Sequence, residues 1–216
     1  MGFCNWENTS SINQRYHDEE WGRPSHDDYH QFEHLSMEVM QCGLSWDLVI
    51  RRREILRSCF DHFDFEKVAA YNEDDIERIL ATEGMIRSRR KIEAIINNAR
   101  CFLNIREEFG SFSAYIWGYS DGKTILYNKH AEGYIPASNG LSEAISTDLK
   151  KRGFKFVGPV VIYSHLQSSG IINDHDKDCP CYAAINASNP TVSKHRFLEK
   201  DVHFYGGDTT WRSGKR

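Results

Sequence analysis

Apolar residues recur every three or four positions along most of this chain, which is the period of a helix that buries one face. The clearest helix begins at a capping box formed by Ser25 and Asp28, runs to about Cys42 and is ended by Gly43. Its buried face consists of Tyr29, Phe32, Leu35 and Val39. The same period predicts further helices over residues 45–60, 66–71, 73–81, 88–109, 112–117, 141–151 and 160–167.

Two segments lack this helical period. Residues 121–139 are rich in glycine, asparagine and lysine, which is typical of a long loop or a small β excursion. After Asn186 the chain turns polar, and from Lys194 onward we expect an extension of low order. We therefore predict an all-α domain over residues 1–185, with at most a minor hairpin in its middle loop, and a polar extension over residues 186–216.

Composition places the chain among globular proteins, because 216 residues, 40% of them hydrophobic and 12% aromatic, can bury a sizeable core. No apolar run approaches the ~18–20 residues of a membrane span. The first ten residues lack the basic and apolar regions of a secretion signal. We therefore expect a cytoplasmic monomer in which the six cysteines are reduced.

Four potential metal ligands are divided between the two ends of the chain: Cys4 and His17 at the start, and His175 and Cys179 near the end. Zinc in structural sites is held by thiolate and imidazole ligands in a closed tetrahedron. A Cys/His pair from each end would join the termini and place three aromatic residues against the body of the domain, namely Trp6, Tyr16 and Trp21. The alternative is a buried free thiol with two ordinary surface histidines.

A net charge of −4 argues against a strong bulk attraction to nucleic acid, but it does not exclude a local basic face. The segment from Leu149 through Gly153 and Gly158 has the spacing of a helix–hairpin–helix. Glycines let such a turn approach a phosphate, and the following helix offers free backbone amides. Cations flank the turn at Lys150, Lys151, Arg152 and Lys155. The alternative is an ordinary corner between two helices.

Three longer segments resemble one protein family. They are Tyr16-His17-Asp18-Glu19-Glu20-Trp21-Gly22, Gln41-Cys42-Gly43-Leu44-Ser45-Trp46 with Arg53-Glu54 beyond, and Lys150 to Gly158 with Asn173-Asp174-His175. From Cys4 to about Tyr182 the chain is similar to bacterial DNA-3-methyladenine glycosylase I. The resemblance implies an all-helical fold of the helix–hairpin–helix DNA glycosylase superfamily. It also implies a structural zinc at Cys4, His17, His175 and Cys179, with Cys181 as the alternative to Cys179.

The resemblance further implies an activity. Such an enzyme flips an alkylated base out of double-stranded DNA and hydrolyses its N-glycosidic bond, which gives free 3-methyladenine and an abasic site. We see no lysine to name as a nucleophile, so we expect no strand cleavage. Glu38 would be the catalytic carboxylate, and the substrate-binding residues would be Tyr16, Trp46, Trp6, Trp21 and Ser164. The DNA-binding residues would be Lys151, Arg152, Gly153, Lys155 and Gly158.

Two positions depart from the family pattern. Val39 replaces a glycine beside Glu38, and Asn13 stands where the family often has an aromatic residue. We therefore expect excision to be retained, while the range of alkylated bases could differ.

Other interpretations stay open at this point. Without the resemblance, Glu38 is typical of an exposed helix carboxylate and Trp46 of a core residue. A non-catalytic DNA- or lesion-binding protein on this fold would bind damaged DNA without releasing a base. A metal-dependent hydrolase could use three histidines that recur every four residues on one helix face, although a solvated face is the simpler explanation: His26, His30 and His34.

Overall fold

A computed structural model describes residues 4, 10–127, 130, 134–194, 202–203 and 212–213. Within these residues the helices are α1 (Ser11–Glu19), α2 (Asp28–Gln41), α3 (Trp46–Ile50), α4 (Arg53–Cys59), α5 (Phe65–Ala69), α6 (Glu73–Ala81), α7 (Arg89–Phe109), α8 (Phe112–Gly118), α9 (Gly140–Lys151), α10 (Pro159–Ser168) and α11 (Pro180–Ser188). The strands are β1 (Thr124–Tyr127), β2 (Thr191–Lys194), β3 (Val202–His203) and β4 (Arg212–Ser213). The prediction of a mainly helical protein is confirmed. In the described part of the chain, no helix is both long and apolar enough to cross a membrane.

Helix α2 lies at the centre of the fold and packs against α3, α7, α8 and α10. Every residue from Gln31 to Met40 is buried, so this helix has no solvated face along its middle. Such burial is typical of a helix surrounded by others. Val39 is fully buried in the hydrophobic core. The helix therefore provides a rigid support for the side chains that it carries.

The N-terminal part of the fold differs from the sequence prediction. Helix α1 has no counterpart among the predicted helices, because polar residues occupy most of its length. Helix α2 begins at Asp28 and not at Ser25, since the Asp27 side chain accepts the capping hydrogen bond from the backbone N–H of His30 at 2.8 Å. The Asp28 carboxylate instead caps α8, where it accepts from the backbone N–H of Ser113 at 2.8 Å.

The helix predicted over residues 45–60 is interrupted and forms two helices, α3 and α4. Ser45 caps α3 as expected, by accepting a hydrogen bond from the backbone N–H of Leu48 at 3.3 Å. Arg52 has φ −102° and ψ 7°, outside the helical region, and it separates the two helices. The break leaves Arg53 at the start of α4, where its guanidinium meets carboxylates of neighbouring segments.

The middle loop contains strand β1, which agrees with the expected small β excursion, but within the described residues this strand does not form a hairpin. Strand β1 pairs in parallel with β2, and the register runs from Thr124 opposite Thr191 to Tyr127 opposite Lys194. A parallel partner must come from a distant part of the chain, and here it comes from the beginning of the predicted extension. Most of that extension lies outside the described residues, as does Trp6.

Helices α9 and α10 are joined by a tight turn that α7 holds in place. Gly153 adopts φ +91°, in the left-handed region that favours glycine. The Asn98 side chain donates to the carbonyl of Lys155 at 2.9 Å and accepts from its N–H at 2.8 Å. Asn97 donates to the carbonyl of Gly153 at 2.8 Å. Since both asparagines belong to α7, the longest described helix sets the position of this turn, and Gly158 then caps α10.

Gly170 yields a testable prediction for the fold, because it has φ +74° and an added Cβ would lie 2.3 Å from the backbone nitrogen of Pro24. We expect Gly170→Ala to lower the free energy of unfolding by about 3 kcal/mol or more, since strain and overlap with backbone act together. Gly122→Ala is the matched control: its φ is +71°, but no described atom lies within 4 Å of an added Cβ. In this control variant the free energy of unfolding should fall by about 1 kcal/mol. Chemical denaturation measures both, and equal losses would contradict the prediction.

Candidate active site

Two aromatic side chains from different helices meet at the candidate site. Tyr16 lies on α1 and is buried, while Trp46 is the first residue of α3 and is half-buried. Their ring centroids are 5.0 Å apart and their planes differ by 43°. The two rings together form one aromatic surface, on which another flat ring could stack.

Glu38 lies close to Tyr16 and is buried on α2, where it is 5% exposed. No described group donates a hydrogen bond to its carboxylate or pairs with its charge, and burial raises the pKa of Glu38 to about 8. Burial, together with the charge of Glu38, also raises the pKa of Tyr16 well above its usual range. At neutral pH this site therefore holds an uncharged carboxyl group beside an uncharged phenol.

Three further buried polar atoms around Tyr16 have no hydrogen-bond partner in the described part of the chain: Asn13 Oδ1, His34 Nδ1 and Trp46 Nε1. The His34 ring stacks on Tyr16 with centroids 6.0 Å apart, and Asn13 lies one helical turn before Tyr16. Buried polar groups in folded proteins are normally hydrogen bonded. The presence of three such unpaired atoms beside Tyr16 and Trp46 indicates a binding site for a molecule that offers both donors and acceptors.

An ion-pair network holds Tyr16 in this position. Arg53 donates from both terminal nitrogens to the carboxylate of Glu20, each at 2.7 Å, and from Nε to Glu33 at 2.6 Å. Arg57 donates from Nε to the same Glu33 oxygen at 2.7 Å. Burial raises the pKa of Glu20, but the hydrogen bonds that it accepts outweigh burial and hold the pKa below its usual range. The network joins the end of α1 to α2 and α4.

The structure does not favour a metal centre on the three evenly spaced histidines. His26 packs on Trp117 with ring centroids 4.4 Å apart, whereas His30 and His34 lie beside Glu20. The ligand atoms of His30, His34 and Glu20 lie within 4.8 Å of one another, but Arg53 already neutralises the carboxylate. Burial lowers the pKa of His34 to about 4, so its neutral ring donates to Glu20 at 2.7 Å. These contacts describe a structural network.

Cys4, His17, His175 and Cys179 converge on one point, as predicted from their positions in the sequence. His175 Nδ1 lies 3.4 Å from the sulfur of Cys4 and 3.6 Å from that of Cys179, and His17 Nε2 lies 3.8 Å from Cys179. A tetrahedron with zinc-to-ligand distances of about 2.0–2.3 Å has edges of about 3.3–3.8 Å. The donor set and its spacing therefore fit a zinc ion.

Hydrogen bonds determine which ring nitrogen of each histidine faces the two sulfurs. His175 Nε2 lies 3.1 Å from the backbone carbonyl oxygen of Trp21, and His17 Nδ1 lies 2.8 Å from Asp18 Oδ1. Because both oxygens are acceptors, each ring donates its N–H outward and turns its other nitrogen toward the sulfurs. Histidines that ligate metals are oriented in the same way.

Cys181 lies beside this group and not within it. Its sulfur is 3.8 Å from the carbonyl oxygen of Asp18, and it forms a second group with His17 and Asp18. Cys179 is therefore the thiol that meets both Cys4 and His175. All six cysteines are free, in agreement with the expectation of reduced thiols.

The other predicted substrate-binding residues are less closely associated with Glu38. Trp21 is buried against the ring of His175, with centroids 4.6 Å apart, so it packs on the cluster of potential zinc ligands and not on Glu38. Ser164 is half-buried on α10, and no described hydrogen bond joins it to Tyr16, Glu38 or Trp46. Trp6 lies outside the described residues. The structure thus brings together Tyr16, Trp46 and Glu38.

The predicted DNA-binding residues surround the turn between α9 and α10. Lys151 and Lys155 are exposed, and Gly153 and Gly158 form the turn itself. Arg152 is engaged within the protein, since it pairs with Asp148 at 2.7 Å and with Glu108 at 2.5 Å. Its charge is therefore already paired within the protein, and its role in DNA binding stays a prediction.

Sequence analysis missed two residues that shape the site. Lys91 is buried and donates to the backbone carbonyls of Met40 and Cys42 at 2.7 and 2.6 Å, so it holds the loop between α2 and α3. Asp47 accepts hydrogen bonds from Ser10 at 2.7 Å and from Asn13 at 2.8 Å, and it thereby joins α1 to α3. No local pattern in the sequence marks either contact, because the partners are far apart along the chain.

Comparison with known proteins extends this description. Residues 6–182 match the sequence profile of the methyladenine glycosylase family. Over 182 residues, 84% of this chain and 97% of the relative, the chain is 42% identical to DNA-3-methyladenine glycosylase 1 of Escherichia coli (strain K12). Over 178 residues, 82% of this chain and 96% of the relative, it is 39% identical to the DNA-3-methyladenine glycosylase of Haemophilus influenzae.

The fold is also similar to that of solved structures. One is the crystal structure of a variant of 3-methyladenine DNA glycosylase I in complex with 3-methyladenine. The TM-score is 0.78 and the sequence identity 34%, and the match covers 83% of this chain and 97% of the other.

The pKa of Glu38 leads to a prediction about stability. Its ordinary value is 4.5 and burial raises it to about 8 in the folded protein. Between these pH values the unfolded chain has lost the proton and the folded chain has kept it, so stability falls as the pH rises. From pH 5 to pH 8, wild type should lose roughly 3 kcal/mol of unfolding free energy relative to Glu38→Gln.

Urea denaturation across this pH range measures the difference. Glu83→Gln, at an exposed position, is the control and should follow wild type. Parallel stability curves for wild type and Glu38→Gln would show that the carboxyl group titrates normally.

Proposed function

The chain belongs to the methyladenine glycosylase family, and we propose that it hydrolyses the N-glycosidic bond of 3-methyladenine in DNA. The products are free 3-methyladenine and an abasic site. The observation that carries this proposal is the buried carboxyl group of Glu38, which lies without a partner near the rings of Tyr16 and Trp46. An alkylated purine complements this site through its flat ring, its amino group and its positive charge.

The base must leave the helical stack before it can reach Glu38, because a base inside a duplex is inaccessible to the enzyme. Stacking on aromatic side chains contributes roughly 1–3 kcal/mol per base. A positively charged ring gains more than a neutral one from the π faces of Tyr16 and Trp46. The aromatic pair therefore offsets the cost of flipping for the damaged base in particular.

Glu38 adds discrimination by charge. In the free protein burial keeps the pKa of this carboxyl at about 8, so it is uncharged at neutral pH. 3-Methyladenine is cationic while it is attached to the sugar, and a cation in the pocket favours the carboxylate. Glu38 then releases its proton and pairs with the base. An unmodified purine brings no charge, so it leaves Glu38 neutral and gains no ion pair.

The positive charge also makes the base a good leaving group, so bond breakage needs little further assistance. The C1′–N bond breaks and the base departs as a neutral molecule. Water adds to C1′ and gives up a proton, which completes the hydrolysis. The enzyme is a monofunctional glycosylase, and Lys91 does not act as a nucleophile, because its ammonium group is bound to two backbone carbonyls.

In this proposal the DNA backbone lies at the turn between α9 and α10, which serves as the helix–hairpin–helix. Backbone N–H groups at the start of α10 are available to a phosphate, since Gly158 precedes that helix. Lys151 and Lys155 are exposed beside the turn and would add positive charge. Two α7 asparagines hold the turn, which favours a preformed phosphate-binding surface.

The proposal includes a structural zinc ion held by Cys4, His17, His175 and Cys179. The convergence of two cysteine sulfurs and two histidine ring nitrogens supports it. Four protein ligands would close the site, so the ion would stabilise the fold and take no part in the hydrolysis. It would join the first residues of the chain to the segment that precedes α11.

Release of free base tests the function directly. We expect wild type to release 3-methyladenine from alkylated duplex DNA, and Glu38→Ala to lower kcat/KM by about 10- to 100-fold, because a hydrogen bond to a charged group is lost. Chromatography of the released base provides the measurement, and Glu107→Ala, at an exposed glutamate on α7, is the control. A folded wild type that binds alkylated DNA without releasing base would instead support a lesion-binding protein.

Two matched cysteine variants test the metal site. Wild type and Cys181→Ser should each contain about one zinc ion per chain, whereas Cys179→Ser should lose it. Removal of zinc with a chelator should lower the melting temperature of wild type, because the ion no longer links the ligands from the two ends of the chain. Elemental analysis and thermal unfolding measure the two effects. A wild type that contains no zinc, or a Cys181→Ser variant that loses it, would contradict this assignment.

A further inference from the structure

We infer that Asn13 is a specificity-determining residue that accepts a hydrogen bond from the exocyclic amino group of the excised purine. The inference rests on the proposed function and names a contact within the same pocket. It assigns a role to an amide group whose acceptor has no partner in the described part of the chain.

The orientation of the amide group follows from its neighbour. Asn13 Nδ2 donates to Asp47 Oδ1 at 2.8 Å. A carboxylate accepts but does not donate, so the nitrogen of the amide must face Asp47 and the oxygen must face away. Asn13 is 4% exposed, and its Oδ1 is therefore buried as well as unpaired.

The position of Asn13 relates this acceptor to the base. Asn13 and Tyr16 are three residues apart on α1, so they share one face of the helix. Asp47, which binds the Asn13 amide, directly follows Trp46 on α3. The amide therefore lies at the junction of the two helices that supply the aromatic pair.

The unpaired acceptor of Asn13 complements the exocyclic amino group of an adenine base. Asn13 Oδ1 is buried without a described hydrogen-bond donor. The edge of adenine carries an amino group that donates hydrogen bonds. A base stacked on the faces of Tyr16 and Trp46 would satisfy this acceptor with its amino group, while Glu38 responds to the charge of the ring.

A purely structural role for Asn13 does not account for the free acceptor. The tie between α1 and α3 uses only the nitrogen of the amide, and Ser10 donates to the same Asp47 oxygen at 2.7 Å. A buried acceptor without a partner is costly to a protein. Such a cost is expected where a ligand supplies the missing donor.

The test compares two free bases that differ in the amino group alone, 3-methyladenine and 3-methylpurine. Calorimetry gives the affinity of each for wild type, Asn13→Leu and Asn13→Ala. We expect the preference of wild type for 3-methyladenine to fall by about three- to ten-fold in both variants, the effect of one neutral hydrogen bond. Leucine keeps the size of the side chain and alanine adds no bulk, so a fold defect in one variant leaves the other informative.

Ser10→Ala is the matched control, since it removes the other hydrogen bond to Asp47 Oδ1 and should leave the preference between the two bases unchanged. If the two bases bind the Asn13 variants more weakly by the same factor, the inference is overturned, and Asn13 acts only in joining α1 to α3. If wild type releases 3-methyladenine from DNA but the Asn13 variants keep the preference for 3-methyladenine, only the role of Asn13 is rejected. A wild type that releases no base would reject the proposed function itself.

Discussion

The ion pair between Arg53 and Glu20 fixes α1 against α2 and α4, and the candidate site depends on this placement. Helix α1 buries only Asn13, Tyr16 and His17, so apolar burial alone would hold it weakly. Arg53 binds both oxygens of Glu20 just beyond the end of α1. On another side of α1, His17 lies in one cluster with Cys4, His175 and Cys179. Polar contacts therefore determine where Tyr16 lies, and they thereby place its ring beside that of Trp46.

Two glutamates on α2 show how the protein treats buried charge in opposite ways. Burial raises the pKa of both, but at Glu33 the hydrogen bonds from Arg53 and Arg57 outweigh burial and lower it. Glu38 has no such partner in the described structure, and its pKa stays raised to about 8. An uncompensated carboxyl in a packed interior is unfavourable unless it meets an opposite charge. A cationic base supplies that charge, so the property that destabilises the free site would give it selectivity.

Sequence periodicity located α6, α7, α8 and α10 well, because each buries a stripe that recurs with the helical period. It missed α1 and the break at Arg52, since those features depend on polar contacts between distant segments. The chemistry was less accessible still. Nothing in the local pattern separates buried Glu38 from an exposed helix carboxylate, because the helices that cover α2 come from later in the chain. The resemblance to a family indicated Glu38, while the pairing of Arg53 with Glu20 required the structure.

A crystal structure of the protein with 3-methyladenine tests the central claim most directly. The account predicts that the ring of the base packs against Tyr16 and Trp46, with its edge within hydrogen-bond distance of the Glu38 carboxyl group. Density for the base at another place on the protein, with the Glu38 carboxyl still unpaired, would contradict it.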